Sequence, residues 1–394
     1  MTRSPSTAVA LSLFVGLVAG SILDPDFDPA AYPQKVANCE SEGHKLDIHY
    51  VDINPDGHRN LVLVHGWPGL WSTWANQISY LSKDPQYHII VPDLRGFGSS
   101  THPGSASFHE MADDLVCVLY DAGETSAILI GHDWGSQVSY EALRSFPDVF
   151  QGASGTIPYI PSVGDFVPIE HIAKQLDHLT YQIYFERETN AAASELAADV
   201  RRSLRSVYQD VAHPPPKAFL TSSTDFLKAY DGVPLDQRIP FMNQKEEDYL
   251  VQAYERSGFL NTLQFYTHPF RFGSHEYASK EGRKIIDEPT ALIYPDADPV
   301  VEDWAAAMEL LHTRSFMTNL TLFKVHAAHW PQLENPVAFN EALRQWLDTF
   351  PPIEYEEDEH DEHEHEHEGS DDEDQLVAPI ADEPLLEPLL HEDL

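Results

Sequence analysis

Three short, unbroken apolar runs punctuate the first half of the chain: Leu61-Val-Leu-Val64, His88-Ile-Ile-Val91 and Ala127-Ile-Leu-Ile130. Two more follow at Ala291-Leu-Ile-Tyr294 and Leu320 to Val325. Runs this short, without polar alternation, read as strands buried on both faces of a sheet. Val36 to Glu40 and Lys45 to Asp52 read as strands joined at Gly43. Helical spacing covers Trp71 to Ser82 and His109 to Asp121. It recurs through Gly135, Val138, Ala142, Leu143 and Phe146, where Pro147 ends it, and returns from about Pro336 to Thr349. Strands alternating with helices predict an α/β fold, mainly parallel, with helices on both faces.

The alternation stops at about Pro158 and resumes after Ile286. The intervening residues are helix-rich and aromatic, broken at Pro214-Pro-Pro216. The expected organisation is a core over 25–157, a helical cap over 158–286, and the rest of the core over 287–350. An insertion at that point would lie as a lid over the rim of the sheet. Ligands of such sheets bind beyond the carboxyl ends of the strands.

The ends of the chain have different compositions. Arg3 precedes a twelve-residue apolar run, Ala8 to Ala19, and Val18-Ala-Gly20 offers small residues for cleavage. Residues 1–20 therefore read as a secretory signal peptide, with an uncleaved anchor as the alternative. The run is shorter than the ~20 residues a bilayer needs, and nothing else reads as a stable membrane span. From residue 351 to 394 the chain reads as a disordered, acidic, His-rich tail. Glu354 to Leu394 holds 19 of the 64 acids and no Lys or Arg. The remaining 45 acids still exceed the 24 bases by 21. That balance argues against nucleic acid as a partner. The His-Glu alternation at His363 to Glu368 invites weak divalent-metal binding, but a solvated tail is the simpler reading, and no metal site is assigned. Cys39 and Cys117 form no disulfide framework or zinc pattern. Two separate buried thiols are expected, with pairing in an oxidising compartment as the alternative.

The candidate chemistry gathers at Ala127-Ile-Leu-Ile-Gly-His-Asp-Trp-Gly-Ser136. The pattern is strand, sharp turn, helix, with Asp133 at the tip between Gly131 and Gly135. This is a nucleophile-elbow layout with Asp in the reactive position; a plain helix N-cap is the alternative. His65-Gly-Trp-Pro-Gly69 and Asp93-Leu-Arg-Gly-Phe-Gly-Ser-Ser100 also follow strands, so their loops line the same rim.

In this order, the motifs His65-Gly-Trp-Pro68, Asp93 to Ser100 and Gly131-His-Asp-Trp-Gly-Ser136 resemble the α/β-hydrolase superfamily, and within it the soluble-type epoxide hydrolases. The resemblance covers about Val36 to Thr349. It implies the α/β-hydrolase fold, with Asp133 as nucleophile, an acid after the next-to-last strand and a His after the last. Asp298, before Pro299-Val300, fits the acid, with Asp296 as the alternative. His329, before Trp330, fits the base; His326 falls three residues early. Tyr181 and Tyr266 match the two lid tyrosines that hold the epoxide oxygen, with Tyr184 competing for the first place. The backbone N–H groups of Trp67 and Trp134 are expected to form the oxyanion hole, and His65, Pro68 and Trp330 to contact substrate.

The implied reaction joins a small apolar epoxide and water into a vicinal diol through an ester on Asp133, with no cofactor. Haloalkane dehalogenation shares the fold and the Asp, but needs two side-chain N–H donors for the halide. A non-catalytic, calcium-buffering protein of the endoplasmic reticulum is the rival outside enzymes, motivated by the tail. The terminal His391-Glu-Asp-Leu394 resembles a signal read by a retrieval receptor of the endoplasmic reticulum, with the acids swapped from the usual order. Together with the leader it places the protein in that lumen, with secretion as the alternative. Asn319-Leu-Thr321 is a glycosylation sequon.

Overall fold

The computed structural model describes residues 24–352 apart from Glu42, Ser105, Asp236 and Glu302. The segment expected to be a signal peptide, the tail beyond Pro352 and its His-Glu-Asp-Leu end lie outside the described residues.

Eight strands form one sheet: β1 (Gln34–Ser41), β2 (His44–Ile53), β3 (Arg59–Val64), β4 (Tyr87–Pro92), β5 (Ala127–Gly131), β6 (Phe150–Gly155), β7 (Thr290–Pro295) and β8 (Leu320–Val325). Their spatial order is β1-β2-β4-β3-β5-β6-β7-β8. β1 and β2 form an antiparallel hairpin that joins β4 antiparallel, and every other pairing is parallel. The burial patterns follow from position. β4 and β5 lie inside the sheet and are buried at every residue, whereas edge strand β1 alternates from Val36 to Ser41. The sheet carries a separate apolar layer on each face. The fold is therefore the α/β one expected.

The apolar pattern did not reveal β6. Phe150-Gln-Gly-Ala-Ser-Gly155 has one large apolar residue, yet it lies between β5 and β7. Its neighbours fill the space that side chains would occupy. A Cβ on Gly155 would stand 2.2 Å from the Tyr140 hydroxyl, and one on Gly152 would stand 2.6 Å from the Pro289 carbonyl. The expected helix over Trp71 to Ser82 begins as a 3₁₀ turn at Trp71–Trp74 and becomes α-helical at Ala75–Leu81.

Between β6 and β7 the chain is helical, with its main helices at Tyr181–Arg187, Thr189–Ala197, Val200–Val207, Gln244–Ser257 and His268–Lys280. Among the described residues no helix is long and apolar enough to cross a membrane.

The two cysteines correct the expectation of separate thiols. Cys39 on β1 is bonded to Cys117 in the Phe108–Asp121 helix, with Cα atoms 5.9 Å apart. The helix packs against β1, which brings together residues 78 apart in sequence. Spacing alone carries no trace of that contact.

Candidate active site

Asp133 follows β5 directly after His132 and precedes the Trp134–Ser145 helix. Its backbone is held at φ 51°, ψ −126°, in the left-handed half of the map that a side chain rarely tolerates. The surrounding glycines make room for this turn. A Cβ on Gly131 would lie 2.4 Å from the Gly135 carbonyl oxygen, and one on Gly135 would lie 2.2 Å from that of Val64. A Cβ on Gly66 would strike the Asp133 side chain at 2.5 Å. Asp133 occupies the N-cap position, but its side chain makes no capping bond. Instead Oδ1 accepts from the Trp67 N–H at 2.9 Å, and the Trp134 N–H also bonds the carboxylate. The Asp133 N–H donates to Thr156 Oγ1 at 3.0 Å, and the Thr156 N–H donates to Ser136 Oγ at 2.9 Å. Ser136 is thereby occupied as a brace of the elbow.

His329 follows β8 and faces two carboxylates. Its Nδ1 is 2.9 Å from Asp298 Oδ2, and its Nε2 is 3.5 Å from Asp133 Oδ2. Asp298 Oδ1 accepts from the Val300 N–H at 2.8 Å, which fixes the carboxylate. Burial works against a charged His329, but the Asp298 and Asp133 carboxylates on either side of the ring raise its pKa to about 10. Burial likewise opposes charge on Asp133. His329 outweighs it, so the carboxyl sits below its ordinary range. The alternative pair lies elsewhere: Asp296 and His326 bond at 2.8 Å on an exposed face.

The His329 loop is held from two further sides. His132 Nε2 donates to the His329 carbonyl at 2.8 Å, and burial pulls the His132 pKa down to about 4, leaving the ring neutral. Glu334 Oε2 accepts from the Ala328 N–H at 2.6 Å, while Oε1 accepts from the Val211 N–H at 2.9 Å. Neither role was visible in the motifs.

Tyr181 and Tyr266 come from the helical segment, and both line a cavity with Asp133, His329 and Trp67. Their rings are 5.9 Å apart and their hydroxyls bond each other. Burial, followed by the Asp133 charge, pushes Tyr181 up to about 12. Burial raises Tyr266 well above its ordinary value, with the neighbouring Tyr181 and Asp133 adding to it. Both therefore stay protonated at neutral pH. The Tyr184 hydroxyl bonds Glu195 and does not line the cavity.

The cavity is small, ≈ 50 Å³, room for only a few waters. Its remaining walls are chiefly apolar and include Val207, Phe219, Leu220, Phe226 and Val300. Three expected substrate contacts are absent from it. His65 is fully buried: Nδ1 donates to the Gly66 carbonyl at 2.9 Å and Nε2 accepts from the Leu94 N–H at 3.0 Å. Burial lowers its pKa to about 4. It braces the loop that carries the Trp67 N–H. Pro68 turns its carbonyl to the Tyr208 hydroxyl at 3.2 Å. Trp330 stacks on Tyr208 at 4.1 Å and packs beneath His132. A motif reveals which residues share a loop, but not which side chain faces the ligand.

Residues 59–336 match the family described as the alpha/beta hydrolase fold. The chain is 26% identical over 317 residues to bifunctional epoxide hydrolase 2 of Sus scrofa; the match covers 77% of this chain and 53% of the relative. It thus spans about half the length of that relative. It is 28% identical over 321 residues to epoxide hydrolase A of Mycobacterium tuberculosis, covering 78% of this chain and 95% of the relative. Among solved structures, epoxide hydrolase A from Mycobacterium thermoresistibile superposes with a TM-score of 0.69 at 25% identity, covering 81% of this chain and 99% of that one.

Proposed function

The chain belongs to the α/β-hydrolase fold family, and we propose that it is an epoxide hydrolase that works through a covalent ester on Asp133. The observation that carries this reading is the placement of a carboxylate at the elbow, in one largely apolar cavity with two protonated tyrosines and a His–Asp pair.

Asp133 Oδ1 is occupied by the Trp67 N–H, so Oδ2 is the attacking atom. It forms a bond to an epoxide carbon as the C–O bond opposite breaks, and the departing oxygen takes a proton from the tyrosine pair. Water then adds to Cγ of Asp133 and gives its proton to His329 Nε2, while Asp298 holds the ring and balances the imidazolium. The oxyanion rests on the Trp67 and Trp134 N–H groups. Its collapse breaks the bond from Cγ to the diol oxygen, which takes the proton of the added hydroxyl and so restores the carboxylate, and the proton held on His329 returns to the tyrosinate.

The small apolar cavity suits a small apolar epoxide. Halide release, the rival chemistry, would need side-chain N–H donors aimed at the leaving group. The Trp67 indole N–H is committed to Thr262 Oγ1 at 3.2 Å, and that of Trp134 bonds the Tyr266 hydroxyl. For location, we propose the lumen of the endoplasmic reticulum. The Cys39–Cys117 bond supports an oxidising compartment, and Asn319 in the sequon is exposed just before β8.

The test is a single turnover of styrene oxide in oxygen-18 water. Label is expected in the peptide bearing Asp133 and not in the first-turnover diol, and Asp133→Asn is expected to be inactive. Label in the first-turnover diol with none in Asp133 would refute the ester.

A further inference from the structure

The Tyr181 hydroxyl has one proton and can donate in one direction only. Three neighbouring contacts bear on that direction. Gln182, almost fully buried, places Nε2 3.2 Å from the Tyr181 oxygen. The other end of the same amide, Oε1, lies 2.6 Å from Arg271 Nη2. Arg271 Nε in turn donates to the Phe265 carbonyl at 3.0 Å, which anchors the guanidinium.

A guanidinium has donors and no acceptor. The Gln182 atom that faces it must therefore be the carbonyl oxygen, and the atom that faces Tyr181 must be the NH₂. The orientation of the amide, which the two ends of a Gln would otherwise leave open, is set by Arg271. An NH₂ group donates, so the Tyr181 oxygen accepts from Gln182, and the hydroxyl proton is directed elsewhere. What remains around the Tyr181 hydroxyl is the Tyr266 hydroxyl that bonds it and the cavity that both tyrosines line with Asp133.

Arg271 is well placed for this task in a second respect. Among the described residues no carboxylate pairs with it within 4.0 Å, and its guanidinium carbon stands 5.8 Å from the ring centres of both Trp134 and Tyr266. A carboxylate in place of the Gln182 amide would neutralise that cation and present acceptors to Tyr181.

We propose that Gln182, oriented by Arg271, is a positioning residue that directs the Tyr181 proton into the cavity. The inference rests on the reading of Tyr181 as a proton donor to the epoxide oxygen.

Gln182→Glu separates this role from simple packing. The side chain keeps its size and gains an ion pair with Arg271, so the fold is retained. The atom facing Tyr181 changes from donor to acceptor and draws the proton out of the cavity. Ring opening, read as formation of the alkyl-enzyme by rapid quench, is expected to fall ~10-fold or more, up to the loss caused by Tyr181→Phe. Hydrolysis of the ester once formed is expected to stay within about 3-fold, because that step uses His329. In a Tyr181→Phe background the same Gln182→Glu change is expected to alter ring opening by less than about 3-fold. Ring opening unchanged in Gln182→Glu, or an equal loss with and without the Tyr181 hydroxyl, would overturn the proposal.

Calorimetric binding of phenylacetamide, whose carbonyl accepts as an epoxide oxygen would, reads the same proton without turnover. Gln182→Glu is expected to weaken it ~10-fold or more, about the worth of one buried hydrogen bond, and undiminished binding would also overturn the proposal. A parent protein that opens no epoxide but shows this loss of binding would refute the reaction and leave the orienting role standing.

Discussion

His329 Nε2 stands 3.5 Å from Asp133 Oδ2, close enough for ionic attraction and long for a hydrogen bond. The gap makes the two residues electrostatic partners in the resting protein, and on the proposed ester route it changes meaning once Asp133 is alkylated. An ester carries no charge, so one of the two carboxylates that raise the His329 pKa to about 10 disappears when the first step ends. The imidazole becomes easier to deprotonate at the moment a base is needed.

The pH dependence of the two steps follows with a definite sign. On the proposed route, ring opening needs ionised Asp133, whose carboxyl is held low, and protonated tyrosines, which are held high. Its rate is expected to be flat from about pH 5 to about pH 9. Ester hydrolysis needs unprotonated His329, so its rate rises with pH through an apparent value below about 10. Asp133→Asn, which imitates the uncharged ester, is expected to lower the His329 titration midpoint seen by NMR. An unmoved midpoint would show that Asp133 does not hold the proton on His329.

Removing the phenol groups tests the acid. Tyr181→Phe and Tyr266→Phe each leave one donor facing the cavity and are expected to slow ring opening ~10- to 100-fold. The double variant is expected to lose ~1,000-fold or more, within the range of a lost general acid. Circular dichroism and the thermal midpoint should stay near those of the parent, since the ring packing around Phe185 and Phe226 is kept. A double variant that alkylates at the parental rate would remove the tyrosines from the mechanism.

Glu334 links two regions that the chemistry needs together. One carboxylate oxygen holds the Ala328 N–H beside His329, and the other holds the Val211 N–H near the cavity wall. A glutamine there has one acceptor oxygen, and its NH₂ would face a second N–H. Glu334→Gln is therefore expected to slow ester hydrolysis ~10-fold and to leave ring opening nearly unchanged, at a stability cost of about 1–3 kcal/mol for the unpaired buried donor. Amide exchange at Ala328 or Val211 should speed up with it. Equal loss in both steps would assign Glu334 to general folding instead.

The sequence exposed some of this arrangement and hid the rest for physical reasons. The elbow was legible because Gly131 and Gly135 are required by contacts under 3 Å, so the crowding is written into residue type. The buried strands were legible wherever packing calls for Val, Ile or Leu. β6 was not, because Tyr140 and Phe350 fill its share of the volume and leave Gly and Ser on the strand. His65 was misplaced because both its nitrogens serve the loop backbone. Val207, Phe219, Leu220 and Phe226 gave no signal as cavity walls, since an apolar residue facing a ligand looks the same in sequence as one facing the core. Gln182 stood in plain view beside Tyr181, but its donor end could be assigned only once Arg271 was located.

The Cys39–Cys117 bond makes the last expectation the most direct one on compartment. It closes a loop between residues 78 apart and joins β1 to the Phe108–Asp121 helix. Restricting a loop of that size in the unfolded chain is worth about 2–5 kcal/mol. Neither cysteine lines the cavity, so the bond should matter for stability and not for the reaction. Cys39→Ser combined with Cys117→Ser is expected to lower the unfolding free energy by that amount, read as a lower urea midpoint, and to leave both half-reactions within about 2-fold of the parent. Reduction of the parent by dithiothreitol should reproduce the stability loss, and have no effect on the double variant. Protein recovered from secretory membranes should yield a Cys39–Cys117 cross-linked peptide under non-reducing digestion. Two freely alkylated thiols in that material would sink both the bond and the support it lends to a lumenal location.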